Sequence, residues 1–395
     1  MKSFSRYSLW VILASATLTV MAGSIITPVL NLIREGVGAD PASVGLIITT
    51  HALFVAVFSP VAGNIIDRIG PKKPFILGLI LYGLAGGSGL FINSYWGLIV
   101  SRAFLGIAVA AIITSIVVII LNLYEGEERN KVMGWRGSAN SIGGIVWPLI
   151  GGILGSFSWH LPFAVYLVGI PLSVLVIITI PETQKEKTEN AGTEDSVLKI
   201  FRNNRILFAI FGLMFSAMIF LYVLVVFVPQ LLDKIGISNP FHISLFILAM
   251  AIPAALTALM YGRIKQRLSY KMIALITLAL WTVAFITLSQ ASSGALIAVS
   301  LVPFGIGQGM LGPAIMVWVG ETVAISFRGR VFSYLATLGF IGQFLSPVIM
   351  GPIALSLGLN SVFLVAGGIC ALLFLSFFVG MRKWLGGSRY KGMKP

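Results

Sequence analysis

The sequence predicts an all-α integral membrane protein of twelve transmembrane helices, built as two similar six-helix halves. Three observations predict it. The composition is too apolar for a water-facing surface. Twelve long apolar runs follow one another. One fixed register lays the second half of the chain on the first.

Composition excludes a soluble fold. Of 395 residues, 57% are hydrophobic and 10% charged, whereas a soluble domain carries roughly a quarter charged residues. Mean hydropathy is +0.99. A spanning helix needs about 20 apolar residues. Runs of that kind fall near 9–31, 43–66, 74–92, 96–121, 133–156 and 161–180. A second set falls near 206–231, 241–262, 271–289, 294–319, 330–353 and 361–380. They lack the alternation of barrel strands. Backbone groups in lipid must be satisfied within the segment, so the runs read as helices.

The polar stretch 181–204 separates the sets and reads as a solvated linker. The expected division is therefore 1–180, linker 181–204, and 205–395. Net charge is +14, and position decides its meaning. Of 27 Lys and Arg, 24 fall on one side when loops are counted alternately. Arg136 is counted among them. Only Arg34 and Lys234 fall on the other side, and Arg102 alone is placed within a span. An even number of spans then predicts that both termini are cytoplasmic, in a multi-pass protein of the cell membrane. Anionic lipid headgroups, not nucleic acid, are the natural partner of such charge. The basic, then apolar, N-terminus resembles a signal peptide, but cleavage would leave eleven spans, so retention is expected. The single cysteine, Cys370, excludes an internal disulfide.

The register is 199 residues. It pairs Gly63 with Gly262, Arg68 with Arg267, Lys72 with Lys271, Arg129 with Arg328 and Lys131 with Arg330. It also pairs Ile142-Gly143 with Ile341-Gly342, Pro148 with Pro347 and Gly152 with Gly351. One ungapped offset across several segments points to internal duplication. Two six-helix copies share one topology, so an axis along the membrane normal relates them, with the solute site between them near midplane.

The loop after the second span carries Gly63, Asp67, Arg68, Gly70, Lys72 and Lys73, and a decayed copy carries Gly262, Gln266, Arg267 and Lys271. This pattern resembles the G-x-x-x-D-R-x-G-[RK]-[RK] signature of the major facilitator superfamily, with Pro71 as an added residue. The resemblance covers essentially the whole chain. It implies a gating latch, in which Asp67 meets the N-terminus of the eleventh helix near Arg330, where free N–H groups attract an anion. It also implies that Arg68 and Lys72 tie the loop to the end of the fourth span. The acid seven residues before Arg129 is replaced by Asn122, whereas the one before Arg328 survives as Glu321. Glu321 is therefore expected to pair with Arg267 or Arg263.

The fifth span carries Gly143, Gly144, Trp147, Pro148, Gly151 and Gly152. It is similar to the G-x-x-x-G-P-x-x-G-G segment of the drug/proton antiporter branch, with Trp147 standing where that branch has glycine. Glycine patches allow close helix contact and proline allows a hinge. Pro347 is the second-half copy.

Polar residues within spans are the remaining candidates. Arg102 either holds an anionic solute or the proton-coupling chemistry, or braces the bundle by bonding carbonyls or snorkelling. All thirteen acids lie in loops or at span ends. His51, about 13 Å into the second span, is the titratable group best placed to carry a proton; Glu35 and Asp67 are the alternatives. Asn140, Gln308 and Gln343 are amides able to orient a solute or bond helix to helix. No phosphate-binding loop of the Lys-Ser/Thr kind is present, which argues against ATP-driven pumping. The histidines are too scattered for a metal, and neither a cofactor nor enzymatic chemistry is expected.

The leading expectation is a monomeric secondary carrier that moves a small molecule by alternating access. The resemblance implies proton-coupled efflux of a drug-like or amphipathic solute. The alternatives are uptake or facilitated transport of a polar nutrient or organic anion, and a non-transporting sensor built on the same fold.

Overall fold

The computed structural model describes residues 6–182, 204–323 and 325–385; 183–203, most of the expected linker, lie outside the described residues. Among the described residues, twelve helices are long and apolar enough to cross a membrane. The first half comprises α1 (Tyr7–Gly36), α2 (Val44–Ile69), α3 (Lys72–Leu90), α4 (Tyr95–Leu123), α5 (Gly126–Gly155) and α6 (Leu161–Thr179). The second comprises α7 (Ile206–Lys234), α8 (Pro240–Leu259), α9 (Tyr270–Ser289), α10 (Gly294–Thr322), α11 (Phe327–Leu357) and α12 (Leu359–Val379).

The helices run where the apolar runs end in capping chemistry. Ser94 starts α4 by accepting from Gly97 N–H, and Ser293 starts α10 by accepting from Leu296 N–H. A side-chain oxygen there satisfies a donor that has no intrahelical partner. The α1 helix is broken by a 3-10 turn at Thr27–Val29. Pro28 has no N–H to give, and Thr27 Oγ1 donates instead to Gly23 O at 3.1 Å.

Packing repeats between halves. The pairs α1–α5, α2–α4, α3–α4 and α3–α6 recur as α7–α11, α8–α10, α9–α10 and α9–α12. The 199-residue register holds at the level of single atoms. Arg129 Nε donates to Tyr124 O at 2.8 Å, and Arg328 Nε donates to Val323 O at 3.1 Å. Gly106 lets α4 lie against the His51 carbonyl, and Gly305 lets α10 lie against the Met250 carbonyl. A side chain at either glycine would strike backbone, so the close approach depends on its absence.

The halves meet through α2 against α11 and α5 against α8. The end carrying both termini is called proximal below, and the opposite end distal.

Candidate functional site

The distal end is sealed. Asn31 Nδ2 donates across the interface to Pro229 O at 2.7 Å. Arg34 pairs with Asp233 at 3.5 Å, and these two residues stand 199 apart. Equivalent positions touch only beside the symmetry axis, so this ion pair marks it. Gly45 sits against Val226 and Pro347, and Gly351 against Ala42. Gly152 sits against Ser244 and Pro240, and Ser156 donates to Asn239 Oδ1 at 3.4 Å.

The fifth helix makes two different seams. Gly151 lies against the Ile25 carbonyl of α1, within its own half. Gly152 faces α8, in the other half. Pro148 lies within the helix between them and Gly144, whose nearest neighbour is Val20 at 4.0 Å from an ideal Cβ. Trp147 does not prevent the contact expected of a glycine. Its indole Nε1 donates to Thr17 O at 3.1 Å, with Gly143 giving it room.

Deeper in the bundle, the sequence expectations for His51 and Gln343 converge on one contact. His51 is 3% exposed. Its Nδ1 lies 2.6 Å from Ile48 O, and its Nε2 lies 3.4 Å from Gln343 Nε2 on α11. A carbonyl only accepts, so Nδ1 carries the hydrogen and Nε2 turns its lone pair to the Gln343 amide. The Tyr222 hydroxyl and Gly23 complete the surroundings. The charged group that acts on the ring is Arg102.

Arg102 braces the first half. It is fully buried and does not snorkel. Its Nη2 donates to Gly86 O at 3.2 Å and to Ser101 Oγ at 3.1 Å. Its guanidinium lies 5.2 Å from the Phe163 ring centre and 4.9 Å from that of Tyr166. Those rings stabilise a cation by about 0.5–2 kcal/mol each. Tyr82 and Tyr166 donate to Leu18 O and Ala22 O. The cluster thus joins α1, α3, α4 and α6. At Tyr82's equivalent position the second half has Trp281, stacked on Phe304 at 4.9 Å with no cation.

A second arginine within a spanning helix was counted among the loop charges. Arg136 is the eleventh residue of the helix Gly126–Gly155, not part of a loop. Its Nε is enclosed without an acceptor, and so are the Oδ1 of Asn140 and the Oε1 of Gln308 without donors. Arg136 and Asn140 share a helix face.

The latch residues lie at the proximal end. An ideal Cβ at Gly63 would meet nothing within 4 Å, and Asp67, Arg68, Arg267 and Glu321 are exposed. Gly70 ends α2 with φ of 82°. Three expectations are corrected. Lys72 donates to Ile177 O on α6 at 3.0 Å, not to the end of α4. The end of α4 is held by Arg129, through Tyr124 O and Leu121 O. Glu321 makes no ion pair with Arg263 or Arg267 within 4.0 Å among the described residues.

Comparison with known proteins fits this architecture. The family model described as Major Facilitator Superfamily matches residues 12–252 and 213–389. The bacillibactin exporter of Bacillus subtilis (strain 168) is 26% identical over 93% of this chain and 94% of its own. Multidrug resistance protein 2 of the same organism is 24% identical over 91% of this chain and 92% of its own. The crystal structure of a bacterial homolog to the human lysosomal transporter Spinster superimposes with a TM-score of 0.82 and 17% identity, covering 99% and 100% of the two chains. With a family model spanning both six-helix halves, the chain belongs to the Major Facilitator Superfamily.

Proposed function

We propose that this chain is a proton-coupled exporter of a small molecule, working by alternating access. The supporting observation is an interface sealed at the distal end, with His51 and Gln343 joined across it. The basic excess on the proximal side assigns that side to the cytoplasm. The distal end then faces outward, and the described conformation is closed toward the outside. The names of the two relatives, an exporter and a multidrug resistance protein, support outward transport.

The proton chemistry rests on the His51 ring. A proton arriving at Nε2 removes the lone pair that the Gln343 amide faces. Gln343 must turn its carbonyl oxygen toward the ring or leave it. Either way, protonation changes a contact that crosses the two halves, so proton binding and rocking are coupled. Arg102, Tyr222 and Gln343 are the polar groups that surround the change.

The test is flux in proteoliposomes with and without an imposed pH gradient. Transport by the native chain should follow the gradient. His51→Asn should leave residual flux that no longer follows it. Flux of every transported solute that ignores the gradient would refute the proton coupling.

A further inference from the structure

Arg136 is a permanent cation about 15 Å along α5 from its start, and among the described residues it has no hydrogen bond or ion pair. The acids on the same helix, Glu127 and Glu128, lie in its first turn, more than two turns away. A desolvated charge without a partner is costly, and an intramembrane arginine without one marks a place where a partner arrives. One turn further along the same face stands Asn140, whose amide NH2 can donate to the same group as the guanidinium, while its enclosed Oδ1 accepts and would meet a donor elsewhere on the ligand. Beyond it on that face lie Gly143 and Trp147, against α1.

We infer that Arg136 and Asn140 form a binding site for an anionic group, and that the transported solute is an organic anion. The inference rests on the transport reading above. A guanidinium offers two parallel N–H donors to a carboxylate or similar oxyanion, and the Asn140 amide supplies a further donor beside it. The complementary evidence is negative charge withheld. The acids lie in loops or at span ends, so the helix middles offer nothing to balance a cationic solute. Arg102 cannot supply this site, because its guanidinium is enclosed among Gly86, Ser101, Phe163 and Tyr166. The same chemistry would fit the phosphate of an anionic lipid, and the test separates the two sources.

The full chain is reconstituted in phosphatidylcholine nanodiscs, and carboxyfluorescein, an anionic probe, is titrated by fluorescence anisotropy beside cationic ethidium. The native chain should bind carboxyfluorescein and not ethidium. Arg136→Gln should weaken carboxyfluorescein about tenfold or more, and Arg136→Lys less, because it keeps the charge but loses the fork. Asn140→Asp, nearly isosteric, places an internal carboxylate beside Arg136 and should also abolish carboxyfluorescein binding. Adding phosphatidylglycerol to the discs should leave binding unchanged. Failure of the native chain to bind carboxyfluorescein, equal binding of ethidium, or monodisperse Arg136→Gln and Asn140→Asp chains that bind normally would overturn the site. Loss of binding on adding phosphatidylglycerol would assign it to lipid and overturn the solute reading. Arg136-dependent binding with no flux in proteoliposomes would sink the exporter reading and leave the site standing.

Discussion

Gly152→Ala should act as a wedge between the two halves at the distal end. An ideal Cβ there would stand 2.7 Å from Ser244 Cβ and Oγ and 2.8 Å from Pro240 O, where ordinary contact begins at 3.4 Å. The interface must open by about 0.6–0.7 Å to accept it. Neither neighbour yields easily. Pro240 O is backbone, and Ser244 Oγ is tied to Phe241 O at 2.6 Å. Both belong to the second half, so the strain falls on the sealed distal interface and spares packing within the first half. Overpacking costs about 1–3 kcal/mol. Borne by one state alone, that shifts the balance between states by about 5–150-fold. Spin labels at Phe91→Cys and Ser292→Cys, both exposed near the distal end, report the separation by electron–electron resonance, while buried Cys370 stays unlabelled. The longer distance should gain population and flux should fall. Gly151→Ala makes the contrast. Its clash is with Ile25 of its own half, so it should lower thermal stability without favouring either state. Gly137→Ala, with nothing within 4 Å, should change neither quantity. An unaltered distance distribution and unaltered flux in a monodisperse Gly152→Ala chain would refute the reasoning.

Two further substitutions probe the seal and the brace. Asp233→Asn should loosen the distal end by only about 0.2–1 kcal/mol, since Arg34 and Asp233 are 21% and 23% exposed; the same spin labels should register a small shift that the exchange Arg34→Asp with Asp233→Arg reverses. Arg102→Ala should lower the melting temperature by emptying the space between Phe163 and Tyr166, at about 2–5 kcal/mol, whereas Arg102→Met should fold and bind solute. Loss of solute binding in a stable Arg102→Met chain would return that arginine to the transport pathway.

The spans were legible because lipid leaves the backbone no alternative, and the 199-residue register was legible because both copies kept their caps and turns. Arg129 and Arg328 reach for equivalent carbonyls, so a repeat seen in letters proved to be a repeat in bonds. The Arg34–Asp233 pair carried a signal that went unused. Opposite charges at equivalent positions of a duplicated chain can meet at the axis, and the offset alone identifies them. Arg136 was hidden by its neighbours. The run 133–156 already contained it, but Arg129 and Lys131 drew it into the count of loop charges, and the helix begins earlier still, at Gly126. The role of Arg102 could not be read, because its partners come from α3 and α6 and their convergence is a property of packing. The same holds for Glu321, which forms no ion pair with the arginines that the sequence pattern suggested.

The duplication left one chemical copy, not two. At the positions equivalent to Arg102 and Arg136, the second half has Leu301 and Leu335, both buried, and at the position equivalent to His51 it has Met250. A second unpaired arginine in the bundle would add desolvation cost with no ligand to offset it. The division of labour follows. The first half holds the cations and the imidazole, so in the mechanism proposed above it is the half that reads the solute and the proton. The second half presents amides, Gln308 and Gln343, on a rigid aromatic core of Trp281, Phe285 and Phe304. Its Gln343 is the group that senses the state of His51. In such an arrangement, the symmetry supplies the motion and the broken symmetry supplies its control.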